Sequence, residues 1–249
     1  MRILVTGGAG FIGSHLVEEL LKSKENSLLV IDNLLTGKKS NLDFSQDFEF
    51  VIDELGSQES LEKIQTFNPE VCYHLAAQSS VVISVEDPAL DFEHNILQPI
   101  KLIQTLLKTD CKKFIFTSSG GTIFGEPKVI PTSEVDFAGE PESPYGVAKK
   151  RLNELIEIMT DETKLSYSIL NLSNVYGPKQ DPHGEAGVVS IFASKFLNNE
   201  SPIIYGDGNQ TRDYIYVKDI VSANLKFCTS SQKKNYNSID ITSDSGNSS

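Results

Sequence analysis

Short apolar runs punctuate the first two-thirds of the chain, at residues 3–5, 28–31, 48–52, 71–74, 114–117 and 167–170. Most are unbroken apolar clusters rather than polar/apolar alternations, as in strands covered on both faces. Between them, residues 11–22, 61–67, 88–108 and 144–160 read as helices. Leu16, Leu20 and Leu21 recur at helical spacing, as do Leu102, Ile103, Leu106 and Leu107. Strands alternating with helices predict repeated βαβ units and hence an α/β fold, a doubly wound parallel sheet with helices on both faces. Ligands of such sheets bind at the carboxyl ends of the strands.

After residue 175 the pattern changes. Turn-forming residues gather in Gly177-Pro178, Asp181-Pro182-His183-Gly184 and Gly206-Asp207-Gly208-Asn209. One apolar helix (188–197) and short strands at 203–205 and 214–217 are interspersed. The expected division is residues 1–175 for a sheet domain that includes the helix at 144–160, and 176–249 for a smaller lobe interleaved with the sheet. The final Asp-Ser-Gly-Asn-Ser-Ser has a disorder-prone composition.

Composition narrows the chemistry. A chain of 249 residues, 39% of them hydrophobic, buries a large core without help from disulfides or metals. Its 22 Lys+Arg against 34 Asp+Glu leave a net charge of −12, a field that repels phosphate backbones, so no nucleic-acid binding is expected. Cys72, Cys111 and Cys228 are odd in number, far apart and set in or beside apolar stretches, which points to buried, reduced thiols. His15, His74, His94 and His183 show no ligand spacing among themselves or with the cysteines, and no metal site is expected. No apolar run approaches the roughly 18 residues of a membrane span, and the first residues read as a strand rather than a signal peptide. A cytoplasmic protein is the expectation.

The first chemical motif is Thr6-Gly7-Gly8-Ala9-Gly10-Phe11-Ile12-Gly13, which follows a strand and opens a helix. Glycines at 7, 10 and 13 let the backbone turn tightly and approach a pyrophosphate, whose charge meets free N–H groups and the positive end of the helix dipole. At the end of the second strand stands Asp32-Asn33, where a carboxylate accepts the ribose hydroxyls of NAD and repels the extra phosphate of NADP. Asp53-Glu54 ends the third strand, placed to accept from an adenine amino group. Leu75-Ala76-Ala77-Gln78 after the fourth offers small side chains under a cofactor.

The second motif is Pro144-Tyr145-Gly146-Val147-Ala148-Lys149. Tyr145 and Lys149 lie four apart, on one helical face. A phenol titrates near pH 10, and a neighbouring ammonium with a positive nicotinamide ring favours the phenolate. Thr117-Ser118-Ser119-Gly120-Gly121-Thr122 supplies hydroxyls at the carboxyl end of the fifth strand.

With these residues in place, the chain resembles the extended short-chain dehydrogenases/reductases and, among them, the nucleoside-diphosphate-sugar epimerases of the UDP-glucose 4-epimerase branch. The resemblance also rests on His74, Asn95, Ile123-Phe124-Gly125, Ser173-Asn174-Val175-Tyr176-Gly177-Pro178, Gly184-Glu185-Ala186-Gly187-Val188-Val189, Gly206-Asp207-Gly208 and Arg212-Asp213-Tyr214. It implies that Gly7, Gly10, Phe11, Ile12 and Gly13 cradle the pyrophosphate of NAD, and that Asp32 and Asn33 take the adenosine ribose. Glu54 stands at the adenine-contacting position, with Asp53 as the alternative. Leu75, Ala76, Ala77, Gln78, Asn95 and Thr117 complete the implied cofactor site. Tyr145 is implied as catalytic acid/base and Lys149 as the residue that binds the nicotinamide ribose and tunes the tyrosine. Ser119 is the expected working hydroxyl, with Thr122 second. Asn174, the backbone near Val188, and Arg212 are implied to grip the diphosphate and nucleoside of a UDP-sugar.

The implied reaction is C4 epimerisation. Tyr145 removes the C4 hydroxyl proton as hydride passes to NAD⁺, the 4-keto sugar turns over, and hydride returns to its other face. A homodimer paired through helices 88–108 and 144–160 is implied as well. The chain departs from the family pattern at Gly120, at Phe124, and at Leu170-Asn171-Leu172, where an arginine is usual. It also stops several dozen residues short of the family's usual end, so a small, shortened C-terminal substrate lobe is expected. A 4,6-dehydratase needs an acid and a base where Gly121 and Thr122 stand, which disfavours that reaction. An epimerase or reductase of another nucleotide sugar, and a non-catalytic NAD-binding protein, stay open at this point.

Overall fold

The computed structural model describes residues 1–126, 139–183, 187–229 and 236–242. Arg2–Thr6 (β1), Ser27–Asp32 (β2), Glu49–Ile52 (β3), Val71–His74 (β4), Lys113–Ser119 (β5) and Ser166–Leu172 (β6) form one parallel sheet. Tyr236–Ile241 joins it beside β6, giving the order β3-β2-β1-β4-β5-β6 and then this last strand. The order reverses between β1 and β4, and that crevice is where ligands of doubly wound sheets bind.

Successive side chains of a strand point to opposite faces, and the two cores follow that rule. Ile3 and Val5 of β1, Leu28 and Val30 of β2 and Ile115 of β5 pack with Leu16, Val17 and Leu20 of helix Phe11–Leu20 (α1). Their alternates Leu4, Leu29, Ile31, Phe114 and Phe116 turn to the other face. There they meet Ile64 of Gln58–Phe67 (α2) and residues of two further helices, one of them Pro144–Thr160. Cys72 and Cys111 lie in this second core as free thiols, whose ionisation burial pushes up, to about 12 for Cys111; Cys228 is half-buried.

The segment read as one helix over 88–108 is broken. Val81–Glu86 (α3) precedes it, and the segment itself runs as Pro88–Phe92 (α4), a π turn at Glu93–Leu97, and Gln98–Leu106 (α5). Pro99 explains the break, because it has no N–H for the carbonyl of Asn95 and its ring crowds that oxygen, so the helix widens just before it. Gly120–Ile123 (α6) is a single turn after β5, and Pro144–Thr160 (α7) has the predicted bounds. Ser143 starts α7 by accepting from the Gly146 amide at 3.1 Å, with Pro144 in its first turn.

In the C-terminal part, Asn174–Tyr176 (β7) pairs in parallel with Tyr214–Tyr216 (β8), and Val188–Leu197 (α8) lies between them in sequence. The strand expected at 203–205 is absent. Ile203, Ile204 and Tyr205 are exposed without a partner strand, and Gly206 and Gly208 turn the chain in left-handed conformations. Val217–Thr229 (α9) returns to pack on α1, burying Ile220 and Val221, and leads to Tyr236–Ile241 (β9). Helices α3 and α9 and strand β9 were not anticipated. The disorder-prone end, 243–249, and Gly184-Glu185-Ala186 lie outside the described residues.

Candidate active site

The turn between β1 and α1 is built by close backbone approach. Gly7 has φ +71°, and a Cβ there would stand 2.6 Å from the Ala76 amide nitrogen; one on Gly13 would drive into the Gly7 carbonyl. The Gly10 amide donates to the Gly7 carbonyl at 3.2 Å, and Gly10 brings no side chain to cap α1. The first turn of α1 therefore presents backbone N–H groups to a cleft of about 440 Å³.

Asp32, at the end of β2, lines that cleft while both its oxygens are held by backbone. Oδ2 accepts from the Ala9 amide at 2.8 Å and Oδ1 from the Leu34 amide at 2.9 Å. Asn33 Nδ2 and Gln98 Nε2 each donate at 2.9 Å to Glu54, and His94 Nδ1 lies 3.7 Å from the same carboxylate. Asp53 is occupied otherwise. It accepts from the Ser57 and Ser60 hydroxyls and the Glu54 amide at the start of α2, and the Ser57 hydroxyl first of all holds its carboxyl below the usual range. Asp53 and Glu54, the two candidates for the adenine position, both line the cleft. Leu75, Ala76, Ala77 and Thr117 line the same cleft.

Residues 177–183, a turn-rich segment in sequence, border this cleft as a strap. His15 Nε2 donates to the Pro178 carbonyl at 2.9 Å, Lys38 pairs with Asp181 at 2.5 Å, and Lys179 reaches Glu18 at 3.4 Å and the Asn41 carbonyl at 2.9 Å. Lys38, Lys179 and Asp181 therefore border the cleft although no motif singled them out. The signal was present only as opposite charges far apart in sequence.

A second cleft, of about 620 Å³, opens at the carboxyl ends of β5 and β6. Tyr145 and Lys149 face it from the first turns of α7. A Cβ on Gly146 would stand 2.6 Å from the Thr122 carbonyl, so glycine there lets α7 start hard against the strand-end turn. Lys149 is buried. Its Nζ donates to the Thr117 carbonyl at 3.2 Å and lies 4.8 Å above the Phe116 ring and 5.8 Å from the Tyr145 ring centre. His74 stacks on Phe114 and Phe116 and pairs through Nδ1 with the Thr6 hydroxyl at 2.7 Å. Burial first, then the Lys149 charge, push its pKa down to about 3, so this imidazole is neutral. The hydroxyls of Thr117, Ser118, Thr122 and Ser173 are buried without a hydrogen-bond partner among the described residues.

Around this cleft the structure gathers Ser119, Thr122, Tyr145, Lys149, Asn174, Val188 and Arg212. Asn174 donates to the Asp213 carbonyl at 3.2 Å, which holds the Arg212 segment beside β7. Gln78 and Asn95 are placed differently. Both are buried behind the cleft wall, donating to Asp91 at 2.8 and 2.9 Å. Ser79, not Gln78, lines both clefts, together with Phe11, Ile12, Leu75, Ala77, Thr117 and Gln180.

Residues 3–241 match the family model described as the NAD dependent epimerase/dehydratase family. The chain belongs to that family. It is 42% identical over 226 residues to the UDP-glucose 4-epimerase of Mycolicibacterium smegmatis, across 90% of this chain and 72% of the relative. The crystal structure of a UDP-glucose 4-epimerase with UDP-glucose from Thermotoga maritima is 44% identical, with a TM-score of 0.91 over 99% of this chain and 78% of that one. A Thermus thermophilus UDP-glucose 4-epimerase solved with NAD is 39% identical, with a TM-score of 0.87 over 97% and 78%. Among the described residues of this family member, no helix is long and apolar enough to cross a membrane.

Proposed function

We propose that the protein interconverts UDP-glucose and UDP-galactose by NAD-dependent epimerisation at C4. One observation carries the reading. The glycine-turn cleft and the Tyr145–Lys149 cleft share a wall at Phe11, Ile12, Leu75, Ala77 and Thr117, so a dinucleotide lying along the first ends beside the reactive tyrosine in the second. The residues present fit NAD: a backbone cradle that a Cβ would fill, a helix N-terminus for the pyrophosphate, and Asp32 where a 2′-phosphate would be repelled. When bound, NAD supplies a reversible hydride acceptor for C4 of the sugar.

In this reading Tyr145 takes the C4 hydroxyl proton and returns it after the 4-keto sugar has turned over. Lys149 lends the positive charge that favours the phenolate. Ser119, with Thr122 second, holds the C4 oxygen: both line the cleft at the end of β5, and the Thr122 hydroxyl is buried without a hydrogen-bond partner among the described residues, so it gains from a ligand oxygen. Arg212, Asn174 and the start of α8 at Val188 grip the diphosphate and nucleoside throughout, so binding energy remote from C4 retains the intermediate. Residues 1–175 then form the cofactor half and 176–249 the substrate lobe, which sends α9 and β9 back into the sheet.

The same reading includes a homodimer and a cytoplasmic location, where both NAD and nucleotide sugars are supplied. Exposed Leu90 and Phe92 on α4, Leu97 on the π turn and Ile158 on α7 favour pairing through these helices. Chromatographic assay of UDP-glucose, UDP-galactose and UDP-N-acetylglucosamine with the purified protein tests the activity. Conversion of the first two is expected, and Tyr145→Phe should lower it by about a thousandfold or more. Conversion only of the N-acetylated sugar would redirect the substrate, and conversion of none, with NAD bound, would sink the reading.

A further inference from the structure

Asp91, on α4, is fully buried, with 0% of its surface exposed. Its Oδ1 accepts from Gln78 Nε2 at 2.8 Å and Asn95 Nδ2 at 2.9 Å. Its Oδ2, like Asn95 Oδ1 in the same cluster, is buried with no hydrogen-bond partner among the described residues. A carboxylate held only by neutral donors, with one oxygen idle, is costly to bury unless a cation compensates it.

A cation stands across the helix interface. Helix α4 and the π turn pack on α7, which carries the buried Lys149. Burial raises the Asp91 carboxyl above its usual range. Gln78 and Asn95 pull it back, followed by the charges of Lys149 from α7 and His94 from the π turn. The single ionisable side chain of α3, Glu86, is exposed to solvent.

We propose that Asp91 is a positioning residue for the reaction, a buried counter-charge that keeps Lys149 protonated and aimed at Thr117 and Tyr145 while it pins Gln78 and Asn95 behind the cleft. The inference rests on the reading of Tyr145 and Lys149 as the reacting pair. It accounts for two residues whose side chains turn away from the cleft, since Gln78 and Asn95 serve as the clamp on Asp91.

Asp91→Asn keeps the shape and removes the charge; Asp91→Glu keeps the charge. Loss of a negative charge lowers the pKa of every group near it. Both limbs of the kcat–pH profile of Asp91→Asn are therefore expected to move to lower pH by about half a unit or more, with kcat down about tenfold and KM within about threefold. Asp91→Glu should leave the limbs in place. A lowered kcat with unmoved limbs in Asp91→Asn would mean a purely structural carboxylate and overturn the proposal.

A second measurement stands if Asp91→Asn does not fold. Coupling is reciprocal, so Lys149→Met should raise the carbon-13 titration midpoint of the Asp91 carboxyl relative to the unsubstituted protein, and an unchanged midpoint overturns the proposal. That titration needs no turnover, so it answers even for a chain that converts no UDP-sugar.

Discussion

The two clefts share a wall but are finished to different degrees. In the cofactor cleft the carboxylates are already engaged by the protein itself: Asp32 by two backbone amides, Glu54 by Asn33 and Gln98, and Asp181 by Lys38. Of the residues that line the substrate cleft alone, Ser118, Thr122 and Ser173 have buried hydroxyls with no hydrogen-bond partner among the described residues, α8 has no buried residue, and Phe196 and Leu197 are 63% and 84% exposed. The first cleft is shaped by folding and the second is completed by what it binds. Preorganisation of that kind lowers the ordering cost of binding in the first cleft relative to the second.

The largest effect that tests this contrast is expected at Gly13. A methyl group there meets the Gly7 carbonyl and the Gly8 backbone, neither of which can yield without opening the cradle. Gly13→Ala should weaken NAD binding by about a hundredfold or more by fluorescence titration. Gly121→Ala, whose added methyl meets open space, should change it less than about twofold. Equal effects at the two glycines would remove the claim that the cofactor cleft is set by backbone contact.

Next in size is the response to ligand. At about a hundred times its Kd, UDP-glucose should stabilise the NAD-loaded protein by about 2.7 kcal/mol. Amide exchange should slow chiefly between residues 187 and 214, whereas NAD alone should slow it between 6 and 41. A UDP-glucose effect spread evenly over the sheet would mean that the substrate cleft is as finished as its neighbour.

The asymmetry also governs what could be read from the sequence. The strands of the parallel sheet, the glycine cradle, Asp32, and the Tyr145–Lys149 helix were legible because each follows from local rules: apolar clusters, glycine spacing and a four-residue spacing on one helical face. Even the bounds of α7, Pro144 and Thr160, agree with that reading. The strap over the cofactor was not legible, because Lys38–Asp181 and Lys179–Glu18 join residues more than a hundred positions apart. The break in 88–108 was hidden because Pro99 near a helix start reads as a normal first-turn proline unless the preceding turn is known to continue. The strand expected at 203–205 failed for lack of a partner, which no window of sequence can supply. Gln78 and Asn95 occupy the expected neighbourhood, but their donors point at a carboxylate that no motif named.

His74 gives a stability test of the shared floor beneath both clefts. Its folded pKa, near 3, lies below the ordinary 6.5, so the unfolded chain takes up a proton that the folded one refuses. That penalty is absent above pH 6.5 and grows as pH falls from 6.5 towards 3, at about 1.4 kcal/mol per unit. Lowering pH from 7.5 to 5 should therefore cost about 2 kcal/mol through this group, read from urea unfolding. In His74→Phe that part of the pH dependence should vanish, whatever the substitution costs at neutral pH. An unchanged slope would mean that His74 is protonated in the fold and that the floor under Lys149 is charged.

The smallest effect expected is the most pointed, because among the described residues the strap is where the C-terminal part reaches the cofactor cleft. Lys38 and Asp181 are 57% and 33% exposed at the side chain, so solvent and salt screen their attraction. A double-mutant cycle with Lys38→Ala and Asp181→Ala should give a coupling below about 1 kcal/mol. NAD should bind no more than about fivefold more weakly in either single variant, and less so at high salt. Such a result keeps the cofactor cleft self-sufficient, with residues 1–126 supplying its affinity and the strap only slowing release. A loss of thirtyfold or more would reverse the contrast. The cofactor cleft would then depend on residues beyond 176 as much as the substrate cleft does, and the two would differ in the kind of bond that finishes them rather than in whether they are finished.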